Sequence, residues 1–158
     1  MKKHSIKDCA NVIAPAPVFF GIAVLTGLLF ESFAPSASLL SYGYVFSIGV
    51  VLILVSIFLV LSAVLELRRA NTAFDARKPT TAIVTGGAFK ISRNPTYLSL
   101  SLLSIGIALV VPSMWLIATS VIAIGVTHRG VILREEVYLR NKFGESHIGY
   151  AGKVRRWL

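Results

Sequence analysis

The sequence predicts an all-α, polytopic integral membrane protein. It has four transmembrane helices, the third and fourth paired as a hairpin, and a C-terminal cytoplasmic amphipathic helix. Three observations predict this. Hydrophobic residues make up 55 % of the 158-residue chain and charged residues only 15 %, outside the range of ordinary soluble domains. The apolar residues come in long uncharged blocks rather than in stripes. Lysines and arginines are absent from 31–41 and from the neighbourhood of Pro112, so an even number of spans places all of them on one side.

The first block, Val12 to Phe30, and the second, Tyr42 to Leu65, each match the roughly 20 apolar residues that a spanning helix needs. Thr96 to Thr127 is a third block, broken by Val111-Pro112-Ser113. Proline ends a helix and suits a turn, so this block reads as two helices in a hairpin. Tyr97 to Val111 would rise only about 22 Å at 1.5 Å per residue, short of a core about 30 Å thick. The hairpin therefore crosses a thinned or protein-lined region, or it does not cross fully.

The basic residues are Lys2, Lys3 and Lys7, then Arg68, Arg69, Arg77, Lys78, Lys90 and Arg93, then a further set from Arg129 to Arg156. The positive-inside rule puts that side, with both termini, in the cytoplasm. The net charge of +9 is then a determinant of topology and of lipid headgroup contact, not a nucleic-acid footprint. Lys2, Lys3 and Lys7 before an apolar run, with Ala34-Pro35-Ser36-Ala37 after it, have the outline of a signal peptide. The run is long for one, and a retained first span gives the consistent topology. Cys9 is the single cysteine, so neither an internal disulfide framework nor a multi-cysteine metal site is expected. One histidine near glutamates, His128, is too little for a metal site, so no metal is expected.

Outside the bilayer remain one loop, 66–95, and one tail, 128–158, and any chemistry must come from these and the inner helix ends. Asn71-Thr72 is expected to stop the second helix, because Asn tolerates left-handed geometry. Arg77-Lys78-Pro79 is extended or turn-like, since the residue before proline avoids the helical region. Gly86-Gly87 permits unusual backbone geometry and close approach to a ligand. Asn94-Pro95 starts the third span, with Asn as N-cap and proline at the first helical position. The fourth span is expected to run on through Phe143, with Gly144 as its C-terminal stop. His128, Glu135 and Glu136 then fall near one face. Tyr150, Val154 and Trp157 dock the last segment at the interface, where Tyr42, Tyr44 and Trp115 also serve as belt aromatics.

These pieces form a candidate site. Lys90 and Arg93 supply positive charge for a carboxylate or phosphate, and the N-terminus of the third helix adds N–H donors. Glu135 and Glu136 supply acceptors for an ammonium or for ribose hydroxyls. A ligand carrying both charges, such as an amino-acid moiety, satisfies both ends.

The run Thr85–Leu98, the glutamate pair after the next two helices, then Phe143-Gly144, Tyr150 and Val154-Arg155-Arg156-Trp157 resemble the isoprenylcysteine carboxyl methyltransferase family, which is related to the membrane phospholipid N-methyltransferases. The resemblance covers roughly Arg68 to Leu158. It implies a membrane enzyme, of the kind found in a bacterial or archaeal inner membrane, that uses S-adenosyl-L-methionine without a Rossmann domain and releases S-adenosyl-L-homocysteine. It implies cofactor roles for Gly87, Arg93, Asn94, Pro95, Tyr97, Glu135 and Glu136, and substrate or catalytic roles for Arg93, Tyr150 and Arg155. The acceptor it implies is a membrane lipid or a lipophilic or small molecule, isoprenylcysteine carboxylate-like. Asn94 stands where eukaryotic members carry His, Leu98-Ser99 where many relatives have a glycine, and His147 where Tyr is common. These departures weaken the transfer of substrate identity. An NADPH-dependent reductase of the sterol-reductase type is the alternative enzyme reading, and the glutamate pair argues against it by repelling a phosphate-rich cofactor. A small transporter or scaffold is the alternative outside enzymes. A proton-coupled transporter would carry an ionisable residue deep in a span, and none is present.

Overall fold

A computed structural model of the chain describes residues 9, 10, 12–36, 42–75 and 78–158. The N-terminal lysines, Ala37 and Arg77 lie outside the described residues. The described fold is helical throughout: α1 (Ala16–Phe33), α2 (Tyr42–Arg69), α3 (Pro95–Val110), α4 (Met114–Thr127), α5 (Leu133–Phe143) and α6 (Glu145–Ala151).

α1 begins at Ala16, not at Val12, because Pro15 and Pro17 bracket its start and proline is tolerated only in the first turn. Ile13 lies before it, its side chain against Gly130. α2 continues to Arg69, and Asn71 then adopts a left-handed φ of 48°. The expected Asn71 break is therefore present. The turn after α3 delivers Ser113 to the N-cap of α4, where its Oγ accepts from Leu116 N at 3.2 Å. At the same end the Glu31 carboxylate accepts from the Ser36 backbone N–H and from both the Ser36 and Ser113 hydroxyls. That cluster pins the end of α1 to the α3–α4 turn.

α4 passes into α5 through a π-helical turn at His128–Ile132. The resulting helix is continuous from Met114 to Phe143, 30 residues long. Gly144, at φ 51°, ends it. Among the described residues, three helices are long and apolar enough to cross a membrane: Ala16–Phe33, Gly43–Arg69 and Met114–Phe143. α3 is apolar but only 16 residues long.

Small residues let the helices approach. A Cβ at Gly49 would meet the Gly106 carbonyl at 2.9 Å, and the reverse also holds, so α2 and α3 touch backbone to backbone. Ser56 Oγ donates to the Ser99 carbonyl across the same interface at 2.8 Å. On the other side, Gly27 of α1 lies against Leu116 of α4, with Phe20, Ala23 and Ala123 buried beside them. α3 and α4 thus occupy the middle, flanked by α2 and α1. Large apolar side chains of α1 and α2, including Leu25, Phe46, Leu54 and Phe58, face outward, as a lipid-facing surface requires.

Candidate functional site

All the polar machinery gathers where α3 begins and α4 gives way to α5. The loop after α2 folds back over α5, where the Thr80 backbone N–H donates to the Tyr138 hydroxyl at 3.2 Å. A short 3₁₀ turn, Gly87–Lys90, then packs on the end of α2, with Ala88 N–H donating to Ser62 Oγ at 3.0 Å. Gly87 has φ 53°, and a Cβ there would meet Ser62 Oγ and Glu66 Cγ, each at 2.8 Å. A Cβ at Gly86 would overlap the Glu66 carboxylate. Both glycines therefore allow a close approach to α2. Lys90 is exposed and does not line the cavity described below.

Asn94 occupies the N-cap position of α3, but its side chain makes no cap bond. Its Nδ2 donates instead to the Arg156 carbonyl at 3.1 Å, an oxygen that also accepts from Ser92 Oγ at 3.1 Å. Arg93 N–H donates to the Arg155 carbonyl at 2.9 Å. The C-terminal segment is thereby strapped along the start of α3. Trp157 packs on the cluster of Leu59, Ala63, Ala88 and Leu98 and stacks on His128, ring centroids 6.1 Å apart. It is thus a tertiary anchor and not a lipid-facing belt residue. His128 Nδ1 is buried without a hydrogen-bond partner among the described residues.

Adjacent residues on a helix point about 100° apart at 3.6 residues per turn, and the two glutamates of α5 accordingly meet different neighbours. Glu135 accepts from the Tyr97 hydroxyl of α3 at 2.6 Å. Among the described residues it pairs with no cation. Glu136 takes both parallel bonds of the Arg156 guanidinium, Nε at 2.9 Å and Nη2 at 2.7 Å, and stands 3.4 Å from Arg93 Nη1. Arg93 Nε is buried without a partner among the described residues.

These groups border a cavity of about 80 Å³, smaller than the roughly 300–1,000 Å³ typical of small-molecule sites. Arg93, Asn94, Glu135, Glu136, His147 and Tyr150 line its polar wall, and Leu67, Ile83, Val84, Phe89 and Leu139 its apolar wall. The Tyr150 hydroxyl donates to the Phe89 carbonyl at 2.6 Å, and burial pushes its pKa up to about 12, so it acts as a neutral donor that braces the loop. A second, largely apolar cavity of about 150 Å³ meets Tyr97 and is lined by Pro15, Pro17, Phe74 and Val131.

Five of the residues expected from the sequence therefore share one cavity: Arg93, Asn94, Glu135, Glu136 and Tyr150. Tyr97 adjoins it through Glu135. Pro95 is buried as the first residue of α3 and does not line it. Gly87 faces α2, as above. Arg155 has an exposed side chain and contributes only its backbone carbonyl, while its neighbour Arg156 reaches the site. Arg156 and His147 are the residues that sequence reasoning missed. Arg156 was legible only as half of a basic pair.

The family model for phospholipid methyltransferases matches residues 44–146, from α2 into α6. The chain belongs to the phospholipid methyltransferase family. This family is related to the isoprenylcysteine carboxyl methyltransferases, so the chain is a member of a group of membrane methyltransferases that depend on S-adenosylmethionine. No curated protein sequence matches the chain significantly. The matched range takes in Arg93, Asn94, Pro95, Tyr97, Glu135 and Glu136 and stops before Tyr150 and Arg156.

His147 supplies a pH test of this region. Burial, and then the charge of Arg93, hold its imidazole below the ordinary value, with Arg140 acting in the same sense and Glu136 opposing. The unfolded chain accepts a proton below about pH 6.5 that the folded protein resists. The stabilisation is thus present above about pH 6.5 and is lost as pH falls through the window down to the lowered folded value. The melting temperature of detergent-solubilised protein is expected to fall on acidification through that window. The His147→Gln variant should show a shallower slope, and an identical slope would remove His147 as the titrating group.

Proposed function

We propose that the protein transfers a methyl group from S-adenosylmethionine to a lipophilic acceptor at the cytoplasmic face of the membrane. The observation that carries this reading is the pair of unmatched groups in one cavity. Among the described residues, Glu135 is a carboxylate without a cation, and Arg93 Nε is a buried donor without an acceptor. An amino-acid moiety with a nearby sulfonium supplies one partner for each, so the residues present fit this cofactor. In this reading Arg93 holds the carboxylate, Glu135 faces the cationic end, and Asn94, Tyr97 and Glu136 fix the wall around it. When bound, S-adenosylmethionine supplies an electrophilic methyl group on sulfur. The protein's part is alignment and exclusion of water, which count for more here than acid–base work.

The acceptor's apolar part occupies the Tyr97 side, along Pro15, Phe74 and Val131. A neutral amine suits this site better than an isoprenylcysteine carboxylate. Glu136 already engages both Arg93 and Arg156, and Glu135 adds negative charge, so the carboxylates of this cavity repel an anionic acceptor. Four crossings with both termini inside, α3 spanning a thinned or protein-lined region, put the whole basic surface in the cytoplasm.

Calorimetry of the purified protein with S-adenosylmethionine, S-adenosylhomocysteine and NADPH tests the reading. Both adenosyl compounds are expected to bind and NADPH is not. Binding of NADPH alone, or of none, would sink it. Parallel methylation assays with phosphatidylethanolamine, a prenylcysteine analogue and a small thiol test the acceptor, and a preference for the carboxylate would overturn the amine assignment.

A further inference from the structure

A second, more open groove of about 690 Å³ runs between α5 and α6. It shares Arg93, Glu136 and His147 with the cavity and is otherwise distinct. Leu133, Val137, Ile148 and Ala151 form its apolar side, and Arg140 and Arg156 its basic side. Three guanidiniums border it against the single carboxylate of Glu136. Arg140 has an exposed side chain and forms no ion pair among the described residues.

Depth places this groove in the headgroup layer. Along the continuous helix, Leu133 lies roughly 28 Å from Met114 at 1.5 Å per residue, close to one hydrocarbon thickness of about 30 Å. Arg140 lies about 10 Å further along the axis, less in depth if the helix tilts. Val137 is 60 % exposed and Ile148 46 % exposed, which is unfavourable in water and favourable against acyl chains.

We propose that this groove binds an anionic phospholipid, its phosphate between Arg140 and Arg156 and its upper acyl chain along Val137 and Ile148. The excess of positive charge selects a headgroup with net negative charge over a zwitterionic one. A phosphatidylglycerol-type headgroup has no amine, so this lipid is a resident of the groove and not the methyl acceptor. The inference rests on the proposed membrane placement of this face and not on methyl transfer.

Native mass spectrometry from a neutral maltoside detergent, with equal phosphatidylglycerol and phosphatidylcholine, tests it. One phosphatidylglycerol is expected to be retained in preference. Arg140→Gln should lower its retention at least fivefold. Arg134→Gln, the same charge change on α5 away from the groove, should leave retention within twofold. Equal retention of phosphatidylcholine, or unchanged retention in Arg140→Gln, would overturn the proposal. Displacement by millimolar inorganic phosphate would identify a simple anion site and overturn the lipid assignment. Affinity of Arg140→Gln for S-adenosylhomocysteine, measured alongside, separates failure of this inference from failure of the methyltransferase reading, since the variant leaves that affinity as it is in the parent protein.

Discussion

Replacing Glu136 with Gln is expected to cost about 3 kcal/mol of stability and to weaken S-adenosylmethionine binding at least tenfold. Glu136 is the only carboxylate within 4 Å of the Arg93 and Arg156 guanidiniums among the described residues. The amide keeps the shape but removes the charge, leaving two guanidiniums facing each other in a mostly buried place. Breaking a buried pair by removing one partner costs about 3–5 kcal/mol. The lower end applies because 37 % of the Arg156 side chain stays exposed. The loss also loosens the strap that carries Arg156 and Trp157, so limited proteolysis should cut after Gly152 sooner than in the parent protein. Thermal unfolding, proteolysis and calorimetry together check this. An unchanged melting temperature with an intact strap would show that Glu136 is not the latch.

Glu135→Gln should do the opposite to stability and the same to binding. The amide oxygen still accepts from Tyr97, so the bond to α3 survives. A desolvated carboxylate without a cation is removed, which leaves the melting temperature equal or higher. Affinity for S-adenosylmethionine should fall about thirtyfold, or about 2 kcal/mol, as expected for losing a charge-assisted contact. A larger loss for S-adenosylmethionine than for S-adenosylhomocysteine would put Glu135 beside the sulfonium. Equal losses would put it beside the ammonium. Undiminished affinity for both would remove Glu135 from the site.

Local chemistry made much of the architecture legible. The stop at Asn71, the turn at Pro112 and the end at Gly144 all follow from the backbone preferences of single residues. Other features were not legible for a common reason. Asn94 has the chemistry of a cap but spends its amide on the Arg156 carbonyl, a residue 62 positions away. Gly86 and Gly87 signal unusual backbone, yet only the packing of α2 shows that Ser62 and Glu66 are what they make room for. The π-turn at 128–132 breaks the even spacing from which a shared face for His128, Glu135 and Glu136 was expected. His128 ends against Trp157, and the two glutamates part toward different elements.

By itself the sequence determined that this is a helical membrane protein, and it marked Arg93 and the glutamate pair as polar residues that could meet. Those are properties of blocks and of short-range preference, which the order of residues states directly. Only the tertiary structure decided that Arg156 rather than Arg155 meets Glu136, that Tyr97 answers Glu135, and that the C-terminus closes one wall of the cavity. Neighbouring side chains of the same type differ by direction alone, and direction is set by the elements packed around them.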